Sequence, residues 1–569
     1  MTRMEATPIA GCRTTQKVAL VALGVTLMIA LVLFHQRASV GNPFELPIFR
    51  HLILFQDVLA VFPYAAIVLL ALYAPVRELG LRAAESCGRH PGLVAAATVA
   101  ALAVGAVSLH HAHPLSMDEY AMLFQSRIFA EGRLAGQLPP ALTDWLAPPW
   151  LQGRFIRMSA ETGAAASLYW PGFALLLTPF TALGVPWLLN PLLGGATVLV
   201  MHRLAMAFFA RTDLAGLVVL CTLASPAVTL NAVTYYAMPA HLLANALFVL
   251  LLLQPGRGRA FAAGLVGSFA LVLHNPAPHL LFCLPWFAWL AFRPERRTDL
   301  PALIAGYVPL SLALGWGWSF FLEALSARAT VASSATVDHG VALLLDRLRT
   351  VFGWTSETGH GGQLYGLAKL WLWASPGLAL AAVAALWRLR GERGPWLPLI
   401  GSALLTYFAY FLVKFDQGHG WGFRYFHSAW LAVPLLAAAF VQRLPDAPAL
   451  RGYLAGCALL ALPIMTALFG DQMERHVRRH LNQETVLLEG VTAGTPRVVI
   501  LNQTVGYYTW DLAQNDPFLR NPRIRLISRG PQLDTAMMAR QFPGLVQLYS
   551  DMRGSVWGTR EPPAGTPGR

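Results

Sequence analysis

Apolar runs of bilayer-spanning length recur along this chain, separated by short polar segments in which arginine dominates. A helix of ~17–25 mostly apolar residues crosses a bilayer, and lipid leaves backbone groups to be satisfied within helices. The pattern predicts spans at about 18–34, 52–73 and 93–109, then at 190–209, 214–235 and 239–253. Two shorter helices follow around 274–279, then an inward helix that ends at Phe292. Further spans are expected at about 302–321, 366–387, 396–413, 428–441 and 453–469. The reading is a polytopic α-helical membrane protein of about thirteen spans.

Charge fixes an orientation for this pattern. With the amino end inside, the inner segments are a basic loop with Arg77, Arg82 and Arg89, then "FARTD", "QPGRGR", "RPERRT", "RLRGERG" and "RLPDAPALR", whereas short outer loops such as "TYYAMP" hold almost no Lys or Arg. That asymmetry is the positive-inside rule. It leaves two long outer loops, about 110–187 and 322–365, and an outer carboxyl end. Within the first loop, "QGRFIRM" reads as one strand of a hairpin, and the apolar piece 168–185 reads as a helix lying on the outer surface. Three units follow: a two-helix amino-terminal addition (1–92), a membrane core (93–469) and a small α/β domain (470–569) with a loose tail. The strand-like "PRVVILNQ" and the turn-then-strand "NDPFLRNPRIRLISRG" carry the last assignment.

Composition agrees. Of 569 residues, 56% are hydrophobic and 12% charged, against roughly 25% charge in soluble domains; the mean hydropathy is +0.51. The net charge of +13 does not imply nucleic acid, because the arginines lie between apolar runs and not along one soluble face. His35-Gln36-Arg37 after the first run is no cleavage site, which argues against a removed signal peptide. The five cysteines are scattered and form no disulfide or zinc pattern. No phosphate-binding glycine loop, nucleotide fold or serine nucleophile elbow is present.

The chemistry concentrates in "HPLSMDEYAMLFQSRIFAEGRL", His113 to Leu134, just after the third span. Ser116 and Glu119 have capping-box spacing, so Glu119 has a structural reading as well as a catalytic one. Asp118 suits the helix dipole, but two adjacent carboxylates on a surface helix make better sense facing a polar cavity. His110, His111 and His113 form a tight outer triplet. With Asp118, His113 could hold a divalent ion; a solvated interfacial turn is the plainer reading.

A span followed by "MDEYAMLFQSRIFAEGRL" resembles the start of the GT-C glycosyltransferases, a group that includes protein mannosyltransferases and aminoarabinose–lipid A transferases. "LYWPGFALLLTPFTALG", "NPLLGGATVLVMHRLAMAFFA" and "HGWGFRYFHSAWLAVP" are similar, in order, to further segments of that group. Trp170 stands where members usually have proline, and "LHNPAPH" where many have an Arg-Pro pair. The resemblance implies a donor sugar on polyprenyl phosphate and an envelope glycan, lipid or protein acceptor, at the outer face of the inner membrane. It makes Asp118, with Glu119 as second candidate, the carboxylate that removes the acceptor's proton. Arg424, with His419 and Lys414 nearby in sequence, becomes the group that holds the donor phosphate; the plainer reading of Arg424 is a boundary arginine at lipid headgroups or paired with Asp416. Tyr169, Tyr235, His241, His274 and Tyr425 are expected to line the cavity, with Tyr236 beside them, and His339, Glu357 and His360 are further candidates in the second long loop. A transporter or flippase of lipid-linked sugars is the alternative, kept open by His274-Asn275-Pro276 between two short helices.

Overall fold

The computed structural model describes residues 10–42, 46–148, 151, 154–327, 361–413, 419–445, 447–503 and 509–560. Lys414, Asp416, His339, Glu357 and His360 lie outside these residues, and of His419 only the backbone is described.

Among the described residues, six helices are long and apolar enough to cross a membrane, beginning with Arg13–Ala38 and ending with Ala447–Glu489. A seventh forms if Thr212–Leu223 and Pro226–Val233, bent by 66°, count as one span. Shorter apolar helices, Gly172–Ala182 and Met238–Leu252 among them, follow other apolar runs. The outward faces are apolar, as lipid requires: Leu20, Leu27, Leu31, Phe62, Trp316 and Phe320 are all exposed. The chain is a multi-pass membrane protein; its span count is not fixed at thirteen by helix length and composition.

Two elements differ from expectation. The basic segment after the second span is a helix, Ala74–Arg89, and not a loop. Its buried face is Gly80, Ala84, Cys87 and Gly88. Small residues let it approach its neighbours closely: a Cβ on Gly216 would lie 1.8 Å from the Ala84 carbonyl. The expected last span is also longer. It runs from Ala447 to Glu489, 43 residues, and carries His476 and His480 beyond the apolar stretch.

The segment after helix Pro91–Ser108 forms the helix Met117–Ala130 and a small antiparallel sheet. In that sheet β3 (Ala164–Ser167) lies between β1 (Gly136–Gln137) and β2 (Ile156–Met158). The hairpin β4–β5 joins His419–Gly420 to Gly422–Phe423. Gly422 has φ +76°, which glycine adopts without strain. The tail builds a four-stranded sheet in the order β7-β6-β9-β8, from Thr495–Leu501 (β6), Ile524–Ile527 (β7), Val546–Asp551 (β8) and Gly554–Thr559 (β9). Strands β6 and β7 are parallel and the other pairs antiparallel.

The tail and this segment share one core. Tyr120, Phe124 and Ile128 pack with Val498, Leu526, Ile527 and Val556. The Tyr120 hydroxyl donates to the Asn515 carbonyl and accepts from the Asn515 N–H at 2.8 Å, while Gln514 Nε2 donates to the Pro114 carbonyl at 2.7 Å. The helix that starts at Met117 is thereby held rigidly at one end of the bundle.

Candidate active site

Helix Met117–Ala130 opens with the expected capping box. Glu119 Oε2 accepts the N–H groups of Leu115 at 2.9 Å and Ser116 at 3.1 Å. Its Oε1 accepts the Tyr235 N–H at 2.9 Å, which ties the cap to a second segment. Burial pushes the Glu119 carboxyl up to about 7, against the pull of those three N–H donors. Its side chain is wholly buried and does not line the cleft described below. The nearby His110 ring is 3.6 Å from Oε1 and is pushed by burial down to about 4. Both groups are thus largely neutral between those values, and the contact is no ion pair there.

One residue earlier, Asp118 points the other way. Its Oδ2 accepts from Arg424 Nη2 at 2.9 Å, with side-chain exposures of 19% for Asp118 and 15% for Arg424. Its Oδ1 accepts from the Tyr169 hydroxyl. Burial alone would raise the Asp118 carboxyl, but the Arg424 guanidinium and the Tyr169 hydroxyl outweigh it and hold the group below the ordinary carboxylate value. The Tyr169 hydroxyl is correspondingly held well above its usual range by burial and by the Asp118 charge. The Tyr169 ring lies 4.1 Å from that of His274, which burial pushes down to about 4. Arg424 also stacks on Tyr236, 4.2 Å from the ring centroid, and the Tyr236 hydroxyl is 3.1 Å from Ser116 Oγ.

Asp118, Arg424 and Tyr236 face a cleft of about 160 Å³. One wall is apolar, from Ile48, Phe49 and Leu52 of the helix Ile48–Phe55. The other walls bring Arg154, His476, His480, Trp421, Trp510 and Asp511. Asp511 comes from the tail: its Oδ1 accepts the Met117 N–H at 3.3 Å. Burial pushes its carboxyl well up, and the Asp118 charge adds to that.

Tyr169, Tyr235, His241, His274 and Tyr425, expected along the cavity, are not among the residues that line this cleft. Tyr235 braces the segment, its hydroxyl donating to the Ala112 carbonyl at 2.8 Å. Tyr425 stacks on Tyr410, 4.3 Å between centroids. His241 is buried on Met238–Leu252, and neither ring nitrogen has a hydrogen-bond partner. His113 is half-buried; desolvation, with Arg525 and Arg127 nearby, lowers its ring to about 4. A divalent ion on Asp118 and His113 would have to displace the donors that Asp118 holds here. Both Asp118 oxygens already hold donors, and no group of three or more potential ligands occurs among the described residues.

Sequence reasoning missed Asp511, His476, His480 and the apolar wall. The histidines had a signal, since an i, i+4 pair shares one helix face. Asp511 had none, because only the fold of the tail brings it to Met117.

No family model matches the sequence, and no curated protein does. Among solved structures, the chain is similar to ArnT from Cupriavidus metallidurans bound to undecaprenyl phosphate: 14% identity, 82% of this chain and 97% of that one, TM-score 0.53. The apo state of the same protein aligns over the same shares at 12% identity, with TM-score 0.48. At such identity the first likeness speaks for the fold alone: this chain has the fold of that ArnT.

Proposed function

We propose that this protein is an integral membrane glycosyltransferase. It moves a monosaccharide from a polyprenyl-phosphate donor to an envelope glycan, lipid or protein acceptor, at the extracytoplasmic face of the inner membrane. The amino end is then cytoplasmic and the tail extracytoplasmic. The observation that carries this reading is the Asp118–Arg424 pair in a cleft with one apolar wall. Such a cleft suits a ligand with a phosphate and a hydrocarbon tail. The bound undecaprenyl phosphate of the ArnT with the same fold supports it.

The pair suggests an order of events. A donor phosphate competes with Asp118 for Arg424, whose planar fork binds phosphate well. Release of Arg424 leaves Asp118 Oδ2 to take the acceptor's proton. The acceptor oxygen or nitrogen bonds to the anomeric carbon as the carbon–oxygen bond to phosphate breaks. The electron pair leaves with polyprenyl phosphate, stabilised by Arg424. A single displacement of this kind inverts the anomeric centre, as in inverting glycosidases.

The test is sugar transfer from a panel of polyprenyl-phosphate sugars, wild type beside Asp118→Asn, with undecaprenyl phosphate binding measured on both. Transfer by the wild type and its collapse in a variant that still binds the lipid is the expected result. Equal transfer by both removes Asp118 from the mechanism. A wild type that neither binds the lipid nor transfers sugar removes the donor class. The bent pair Thr212–Leu223 and Pro226–Val233 resembles the broken helices of transporters, and a flipping assay with the same lipids tests that reading.

A further inference from the structure

The hairpin that presents Arg424 is held from behind by a buried ion pair. Lys369, on helix Gly361–Leu372, lies 2.6 Å from Asp57 Oδ2, with side-chain exposures of 0% and 3%. Asp57 belongs to the break between Ile48–Phe55 and Val61–Leu70, in the amino-terminal helices. The ammonium also donates to the Gly420 carbonyl at 2.7 Å. The next carbonyl of the hairpin, that of Trp421, accepts from Asn231 Nδ2 at 2.7 Å. Gly420 in turn backs onto Arg424: a Cβ there would lie 2.9 Å from Arg424 Cδ.

Two charges buried within a helical bundle are costly, and apolar replacements for such a pair are often as stable or more so. Ionisable groups retained at such a place point to a task. Here the task is geometric. The Gly420 carbonyl sits in a two-residue-per-strand hairpin and is met by a side chain from another helix. The lysine reaches it because Asp57 balances its charge.

We propose that Asp57 and Lys369 are positioning residues that set the β4–β5 hairpin, and through it the Arg424 contact to the donor phosphate. The second half rests on the proposed function. The amino-terminal helices then serve the site twice, as the apolar wall and as the anchor of its cation.

The test uses the full chain in lipid nanodiscs. Asp57→Asn/Lys369→Met removes both charges together, so no unpaired charge remains, but it also removes the donor to Gly420. A purely structural ion pair predicts wild-type behaviour from this double variant. Positioning predicts a wild-type melting temperature, amide exchange at 419–424 at least tenfold faster, and undecaprenyl phosphate binding at least tenfold weaker. The donor KM rises with it while kcat changes less than threefold. Asp57→Asn alone leaves the buried lysine without its counter-charge, so it loses protection at 419–424 and stability together. Should the double variant not fold, Lys369→Arg keeps the pair, changes the donor geometry and shifts exchange and affinity in the same direction by less. Wild-type exchange in the folded double variant overturns the proposal. Faster exchange with unchanged lipid affinity overturns its link to the donor. If the wild type itself does not bind undecaprenyl phosphate, the donor reading fails, and the exchange measurement still decides whether the pair sets the hairpin.

Discussion

Arg424 Nη2 lies 2.9 Å from Asp118 Oδ2, across 306 positions of sequence. The pair joins helix Met117–Ala130 to a hairpin late in the chain. A base locked to a cation is a poor base, so the pair has to open when the donor arrives. Arg424→Lys keeps the charge but loses the fork. It is expected to weaken undecaprenyl phosphate binding, while Asp118→Asn leaves binding intact and cuts transfer by about 10²-fold or more. Binding and single-turnover transfer, measured on the same preparations, separate the two roles.

Tyr169 donates its hydroxyl to the other Asp118 oxygen. Tyr169→Phe removes that donor and keeps the ring against His274. The Asp118 carboxyl then rises toward its ordinary value, and the hydrogen bond lost is worth about 1 kcal/mol. The expected result is a pH–rate profile whose acid limb moves to higher pH, with transfer at neutral pH reduced by less than in Asp118→Asn. An acid limb that stays in place assigns that limb to a different group.

What the sequence made legible was local. The apolar runs, the Ser116–Glu119 capping box and the strand at 156–158 follow from periodicity and spacing over a few residues. Asp118 and Arg424 are each singled out through the family resemblance together with their place in the chain, and nothing in the sequence joins them. Helix Ala74–Arg89 was read as a loop because its apolar face is made of glycine and alanine, which hydropathy undervalues. The long-range partners could not be read at all. Asp511, on the short helix Thr509–Leu512, meets Met117 across 394 positions, and Lys369 meets Asp57 from a different part of the bundle. Contacts of that kind leave no period in the chain.

Glu119 and His110 give opposed slopes of stability with pH. The folded Glu119 carboxyl is raised to about 7 from 4.5, so the folded state holds the proton longer. Its contribution is full below about 4.5 and is lost as pH rises toward 7. The His110 ring is lowered to about 4 from 6.5, so its contribution is lost as pH falls through that range. Glu119→Gln keeps a side-chain carbonyl for the cap and removes the falling slope. Melting temperature followed from pH 4.5 to 7 should therefore climb more steeply with pH in the variant than in the wild type. Parallel curves for the two proteins mean that Glu119 does not titrate in this window.

Asp511 presents the sharpest conflict between stability and use. It accepts one N–H from Met117, and an asparagine could do the same. The docking of the tail is already served by Gln514 and Asn515. A carboxylate so close to Asp118 is instead penalised by burial and by like charge. Such a penalty at a cleft points to a role toward ligand, and in the proposed mechanism the acceptor has Asp118 alone as its partner. Asp511→Asn is expected to melt higher than the wild type at pH 8, since each pKa unit relieved is worth about 1.4 kcal/mol. The same variant should raise the acceptor KM at least tenfold and leave undecaprenyl phosphate affinity unchanged. Higher melting with an unchanged acceptor KM would make Asp511 a docking residue only. Weaker lipid binding would move it to the donor side of the cleft. Both outcomes are read from one purified variant, because the substitution keeps the Met117 contact that holds the tail in place.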